Sequence, residues 1–307
     1  MMTFLPWIAF GILIIILLYV DLEVFHKKAH VIKVKEALLL SLFWICVALL
    51  FNLFIYFWRG PHPALEFFTG YLIEKSLSVD NLFVFLLIFQ YFKVEGKHQH
   101  RILYWGILGA VIMRAIFIYG GITLINKFHW IIYIFGAFLI FTGFKMAFQK
   151  EKEVHPERNP IIKIFKKLMP VTSESVDGRF FARMGGVLHA TPLFVVLLVI
   201  ETTDVVFAVD SIPAILAITR DPFIVYTSNV FAILGLRALY FALAGMADLF
   251  HYLNYGLALI LSFIGVKMLM VDIYKIPSFI ALGVVGGVLT ISILASLIWP
   301  KKDAQKV

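Results

Sequence analysis

Five carboxylates stand inside two strongly apolar stretches of this sequence. Glu74 and Asp80 lie in "EKSLSVDN" (74–81), and Glu201, Asp204 and Asp210 lie in "LVIETTDVVFAVDSIP" (198–213). A carboxylate at the centre of a bilayer costs about 2.5–3.5 kcal/mol on insertion scales, so acids in such surroundings point to function. Around them are further oxygen donors, Ser78, Asn81, Thr202, Thr203 and Ser211, and no His, Cys or Met. An all-oxygen set suits hard cations such as Mg²⁺, Ca²⁺ and Mn²⁺ and disfavours Zn²⁺ and Cu⁺. Five acids exceed the charge of one divalent ion. Retained protons or neighbouring bases must balance the rest, which is compatible with proton-coupled exchange. Asn229 and Asn254 could add oxygens, although Asn229 falls near a span end.

Five bases share the apolar segments: Lys75, Arg114, Lys145, Arg237 and Lys267. Lys145 and Lys267 are close enough to span ends to reach an interface. Arg114 and Arg237 are more central and, with Lys75, are the expected charge partners or gate elements. Buried ion pairs gain little stability over apolar packing, so a pathway is preferred to pairing alone. An intramembrane aspartyl protease using Asp80 and Asp210 is a third possibility. Neither Asp has a Gly-rich protease signature beside it, and the chain is not read as an enzyme.

The elements that must carry these groups are transmembrane helices. Of 307 residues, 62% are hydrophobic, well above a soluble domain, and a single Cys excludes a Cys-rich metal cage. The net charge of +8 resides mostly in short loops, so no nucleic-acid role is read. At about 20 residues per crossing, the expected fold is all-α and polytopic, with about nine spans. These are 4–20, 37–58, 64–91, 102–121, 129–148, 188–218, 223–245, 250–271 and 278–299. The first is taken as a span, since it lacks the basic flank and cleavage site of a signal peptide. Loops on one side carry 18 Lys and Arg against 4 on the other. The positive-inside rule then puts the N-terminus outside and the C-terminus in the cytoplasm. The loop 149–187 contains "IIKIFKKLM", which reads as a basic amphipathic helix on anionic headgroups. "KHQHR" places His98 and His100 in a cytoplasmic loop.

The two acidic segments belong to a duplication. "EKSLSVDN" matches "DVVFAVDS" (204–211), "ILGAVIMRAIF" (107–117) matches "VFAILGLRALYF" (230–241), and "GFKM" (143–146) matches "GVKM" (265–268). Glu74 thereby pairs with Asp204, Asp80 with Asp210, and Arg114 with Arg237. The chain divides into two N-terminal helices (1–63), a three-helix repeat (64–148), the loop 149–187, a second three-helix repeat (188–271), and a last helix with tail (272–307). Three spans separate the repeats, so the second is inverted, a recurring transporter design. On an unbroken helix Asp210 points nearly opposite Glu201. Pro213 is therefore expected to break the helix near 208–212 and turn Asp210 back.

With "GYLIEKSLSVDNLFVF", "VIETTDVVFAVDSIPAIL" and "GLRALYFAL", the sequence resembles the TerC/Alx family of integral membrane proteins over roughly 10–300. That family is similar in turn to the LysE-type exporters. The resemblance implies a manganese-linked role, most simply Mn²⁺ efflux across the bacterial inner membrane. It assigns Glu74, Asp80, Glu201, Asp204 and Asp210 to the two acidic motifs. The alternative is a membrane scaffold that supplies metal to secreted metalloproteins without transporting it.

Overall fold

The computed structural model describes residues 4–23, 34–128, 130–148, 160–172, 178–184, 186–244, 252–274 and 276–299, apart from the side chains of Asp80, Phe83, Pro160, Lys163, Lys166, Asp210 and Asn254. Eleven helices and one hairpin are present among them. The helices are α1 (Leu5–Glu23), α2 (Val34–Arg59), α3 (Pro61–Tyr91), α4 (Gly96–Lys127), α5 (Ile131–Phe148) and α6 (Pro160–Leu168), followed by α7 (Pro192–Leu216), α8 (Pro222–Ile233), α9 (Leu236–Ala244), α10 (Leu253–Leu269) and α11 (Ser278–Ile298). Strands β1 (Phe181–Met184) and β2 (Val187–Ala190) pair antiparallel between α6 and α7. Helix α1 is a unit by itself, and the remaining elements form a second unit.

Among the described residues, six helices or helix pairs are long and apolar enough to cross a bilayer: α2, α4, α5, α7, α8–α9 and α11. The chain is thus an all-α polytopic membrane protein apart from its short hairpin. The apolar stretches of α1 and α10 are shorter. Helix α3 is 31 residues long and carries Glu66, Glu74, Lys75 and Asp80, which lower its apolarity. Leu38, Leu39, Leu42, Leu50 and Phe57 of α2 and Ile112, Ile116 and Tyr119 of α4 are exposed. Apolar side chains turned outward along whole helices suit a lipid solvent.

Inside the second unit, α3 packs on α8 and α4 packs on α7, while α5 lies along α10. Ile73, Leu77, Ile118, Ile122, Ile212, Ile215, Leu257 and Ile264 are buried together between these helices. The α5–α10 contact is made by backbone. A methyl built on Gly136 would stand 2.9 Å from the carbonyl oxygen of Gly265, and one on Gly143 would stand 2.7 Å from that of Ala258. Small residues permit this approach, and dispersion between helices replaces the hydrophobic drive that lipid removes.

Three expectations need correction. Helix α7 runs unbroken from Pro192 to Leu216 with Pro213 inside it. Pro213 sits in the last turn, where one missing N–H matters little, and its carbonyl still accepts from Ala217 N at 3.1 Å. Residues 188–190 lie in β2 and Thr191 is the N-cap of α7, so the helix starts later than the expected span. Finally, "KHQHR" is the first two turns of α4. His100 stacks on Phe241 with centroids 4.1 Å apart, and Arg101 Nη1 donates to Gly178 O at 2.9 Å. The predicted amphipathic segment is indeed helical, as α6, and Phe165 meets Phe194 of α7 at 5.3 Å.

An interruption falls in the helix that follows α7. Leu234 turns extended (φ −58°, ψ 132°) and Gly235 takes φ +81°, which separates α8 from α9. A Cβ on Gly235 would stand 2.6–2.9 Å from Trp44 side-chain atoms, so only glycine fits both the conformation and the space.

Candidate functional site

Helices α3, α4, α7 and α8 each send polar side chains into the buried middle of the second unit. The centre is Arg114 of α4, which is 0% exposed. Its Nη1 donates to Glu74 Oε1 of α3, to Asn229 Oδ1 of α8 at 2.8 Å and to Ser211 Oγ of α7 at 3.3 Å. Its Nη2 lies 3.6 Å from Asp204 Oδ1 of α7. Asn229 Nδ2 closes the ring by donating to Glu74 Oε2 at 3.1 Å. Every one of these side chains is buried.

Local sequence explains the gathering. Glu74, Ser78 and Asn81 recur at i, i+4 and i+7, which puts them on one face of α3, and all three are buried. The Pro222 start and the Asp221 cap fix the beginning of α8. Asp221 Oδ1 accepts from Phe223 N at 2.9 Å and from Ile224 N at 3.3 Å. Asn229 follows two turns later. Across the chain, Arg59 Nη1 meets Asp221 Oδ2 at 2.6 Å and ties the end of α2 to this start.

The cluster brings together Glu74, Asp204, Arg114 and Ser211 from the sequence prediction. Asp80 and Asp210 stand on α3 and α7, but their side chains lie outside the described residues. Glu201 is half-buried beside the cluster, one turn before Asp204. Its carboxylate lies against the α4 backbone at Gly109, where any added Cβ would overlap it. It has no ion pair among the described residues. Arg237 is buried and shares a narrow cavity of about 20 Å³ with Asp204. That space holds about one water.

Two of the expected residues make other contacts. Lys75 is not paired with a carboxylate among the described residues. Its Nζ donates to the carbonyls of Ala232 at 3.2 Å and Leu234 at 3.4 Å, at the α8–α9 break. Thr202 Oγ1 donates to Leu198 O at 2.8 Å and Val199 O at 2.9 Å within α7. The sequence reading undervalued Asn229, because nearness to a span end does not measure depth once α8 stops at Ile233.

Glu66 and Thr219 were missed altogether. About 12 Å along α3 from Glu74, at 1.5 Å per residue, a cavity of about 600 Å³ is lined by His62, Glu66, Thr219, Arg220 and Lys267. Glu66 Oε2 accepts from Thr219 Oγ1 at 2.8 Å, and His62 Nδ1 stands 3.4 Å from Oε1. The signal available in sequence was an acid eight residues ahead of Glu74 on the same helix.

Chemically, two carboxylates face one guanidinium. When both are ionised, the group keeps one negative charge in excess. Asp204 Oδ2 and Ser78 Oγ have no hydrogen-bond partner among the described residues. Buried polar atoms are rarely left so, and these two oxygens add acceptor capacity at the cluster.

Comparison with known proteins places this architecture. The chain matches the integral membrane protein TerC family over residues 59–304. A Myxococcus xanthus protein named uncharacterized membrane protein STKORF319 is 49% identical over 292 residues, covering 95% of this chain and 92% of its own. A Salmonella typhi protein provisionally named membrane-bound redox modulator Alx is 48% identical over 313 residues, covering 99% of this chain and 97% of its own. The Alx of Escherichia coli K12 is 48% identical over 301 residues, covering 95% and 94%. No solved structure matches. The chain belongs to the TerC family of integral membrane proteins.

Proposed function

We propose that this protein exports a small divalent cation, Mn²⁺ foremost, across the bacterial inner membrane in exchange for protons. The carrying observation is the meeting of Glu74 and Asp204, from two similar segments, on the buried guanidinium of Arg114. An oxygen-only group in an apolar interior is what a hard cation needs once its water is removed. Arg114 holds the acids while no cation is bound, and its charge is what an arriving cation displaces.

Alternating access between two inverted three-helix units, 64–148 and 188–271, fits the packing. Under the repeat, Gly143 corresponds to Gly265 and Gly136 to Ala258. The contact of Gly136 with Gly265 then has its counterpart in that of Gly143 with Ala258, and both occur. Reciprocal contacts of this kind are what a two-fold axis produces. The packing of α3 on α8 and of α7 on α4 is reciprocal in the same sense. Counting α1, α3 and α10 with the six long, apolar spans gives nine, with the N-terminus outside. The cavity at Glu66 then opens on the outer face as the exit.

The name of the Alx relatives speaks of redox modulation. This sequence has one Cys, so an internal dithiol cannot serve that role here. Any redox effect of this chain would follow from metal supply. Purified protein in liposomes, loaded with a metal-sensitive dye, tests the reading with Mn²⁺, Mg²⁺, Ca²⁺ and Zn²⁺ under an imposed pH gradient. Saturable Mn²⁺ flux that dissipates the gradient is expected. Absence of flux for every ion, with metal delivery intact in cells, would favour the scaffold role.

A further inference from the structure

The α8–α9 break lies in the most buried of the candidate spans, with 89% of its window inside the protein. In an unbroken helix the carbonyls of Ala232 and Leu234 would accept from Leu236 and Ala238. The turn at Leu234 and Gly235 removes those donors. Water cannot replace them cheaply at membrane depth, and unwound carbonyls there commonly hold cations. Here both oxygens accept from the ammonium of Lys75. Trp44, 1% exposed, closes the other side against Gly235.

We propose that the α8–α9 break is a binding site for a small monovalent cation, which Lys75 keeps filled with its own tethered ammonium. The positive charge of Lys75 meets no carboxylate among the described residues, and the carbonyl dipoles of Ala232 and Leu234 face it. Those oxygens form the negative end of α8, the end of a helix that favours a cation. Lys75 follows Glu74 directly on α3. The same bond therefore fixes the helix carrying the acid to the helix carrying Asn229, and the site couples the break to the buried cluster.

Removing the side chain exposes the site to free cations. Thermal unfolding of detergent-purified Lys75→Ala is measured in methylammonium, potassium or choline chloride at equal ionic strength. Lys75→Ala is expected to unfold below wild type in choline and to regain at least half of the loss in methylammonium or potassium. Wild type and Lys75→Arg are expected to ignore the exchange. A folded Lys75→Ala indifferent to the cation, or an equal shift in wild type, overturns the proposal. If Lys75→Ala does not accumulate, Lys75→Arg and Lys75→Met decide. Accumulation of the arginine variant alone supports a cationic occupant, and equal accumulation of both contradicts it. The readout is cation-dependent folding, so it stands or falls separately from metal flux.

Discussion

Glu74 of α3 and Asp204 of α7 are brought to the same guanidinium, that of Arg114, although 130 positions of sequence separate them. One cation therefore serves one acid from each half of the chain. Any conformational change that separates α3 from α7 must break one of these pairs.

Arg114→Met is expected to be the most damaging single substitution in the cluster. It leaves two buried carboxylates without their base, and removal of one partner from a buried pair costs about 3–5 kcal/mol. Thermal unfolding of the purified variant checks this. Arg114→Met with Glu74→Gln should recover part of the loss, because one uncompensated charge is then gone. No recovery would show that Arg114 stabilises through packing alone.

Gly235→Ala should destabilise for two reasons at once. The left-handed conformation costs about 1–2 kcal/mol for an alanine, and the new methyl overlaps Trp44. Gly235→Ala placed in Trp44→Ala, and compared with Trp44→Ala alone, isolates the first contribution. A Gly235→Ala variant as stable as wild type would mean that the break is not held in this geometry.

Gly109→Ala separates function from stability. The atoms nearest the added methyl are those at the end of the Glu201 side chain, which can rotate away. The variant should fold with a nearly unchanged unfolding midpoint while Glu201 is displaced from α4. Flux should fall if Glu201 takes part, and it should fall to the level of Glu201→Gln. Wild-type flux in both variants would remove Glu201 from the pathway.

Asp221→Ala removes the side-chain cap of α8 and the partner of Arg59. A lost cap costs about 1 kcal/mol, and the half-exposed ion pair adds little. Denaturation of the variant should show a small loss. A loss well above that range would mean that the α2–α8 junction carries more of the structure than one cap and one exposed pair.

Much of this site was legible in the sequence because charged residues in apolar segments are few and expensive. Glu74, Asp204 and Arg114 stood out on that ground, and the similarity of their two motifs set the first against the second. What the sequence hid was interruption and depth. Pro213 signals a break, but a proline in the final turn of α7 loses only one hydrogen bond, and the helix continues. The break at Gly235 had no proline to announce it and depends on Trp44 from a distant helix. Lys75 counts as an expected partner for the acids because it is one of five bases in the apolar segments. Its reach to Ala232 and Leu234 depends on α3 packing against α8, which no local pattern encodes.

The central claim is that the paired acids carry the cation, and Asp204→Asn tests it most directly. The substitution keeps the size and one acceptor oxygen, turns the other into an NH2 donor, and removes one negative charge from the cluster. Mn²⁺ flux is measured in proteoliposomes holding equal amounts of folded wild type and variant. Robust flux in wild type and flux at the empty-liposome level in Asp204→Asn is the predicted result. Equal flux in the two, or none in wild type, would contradict the account.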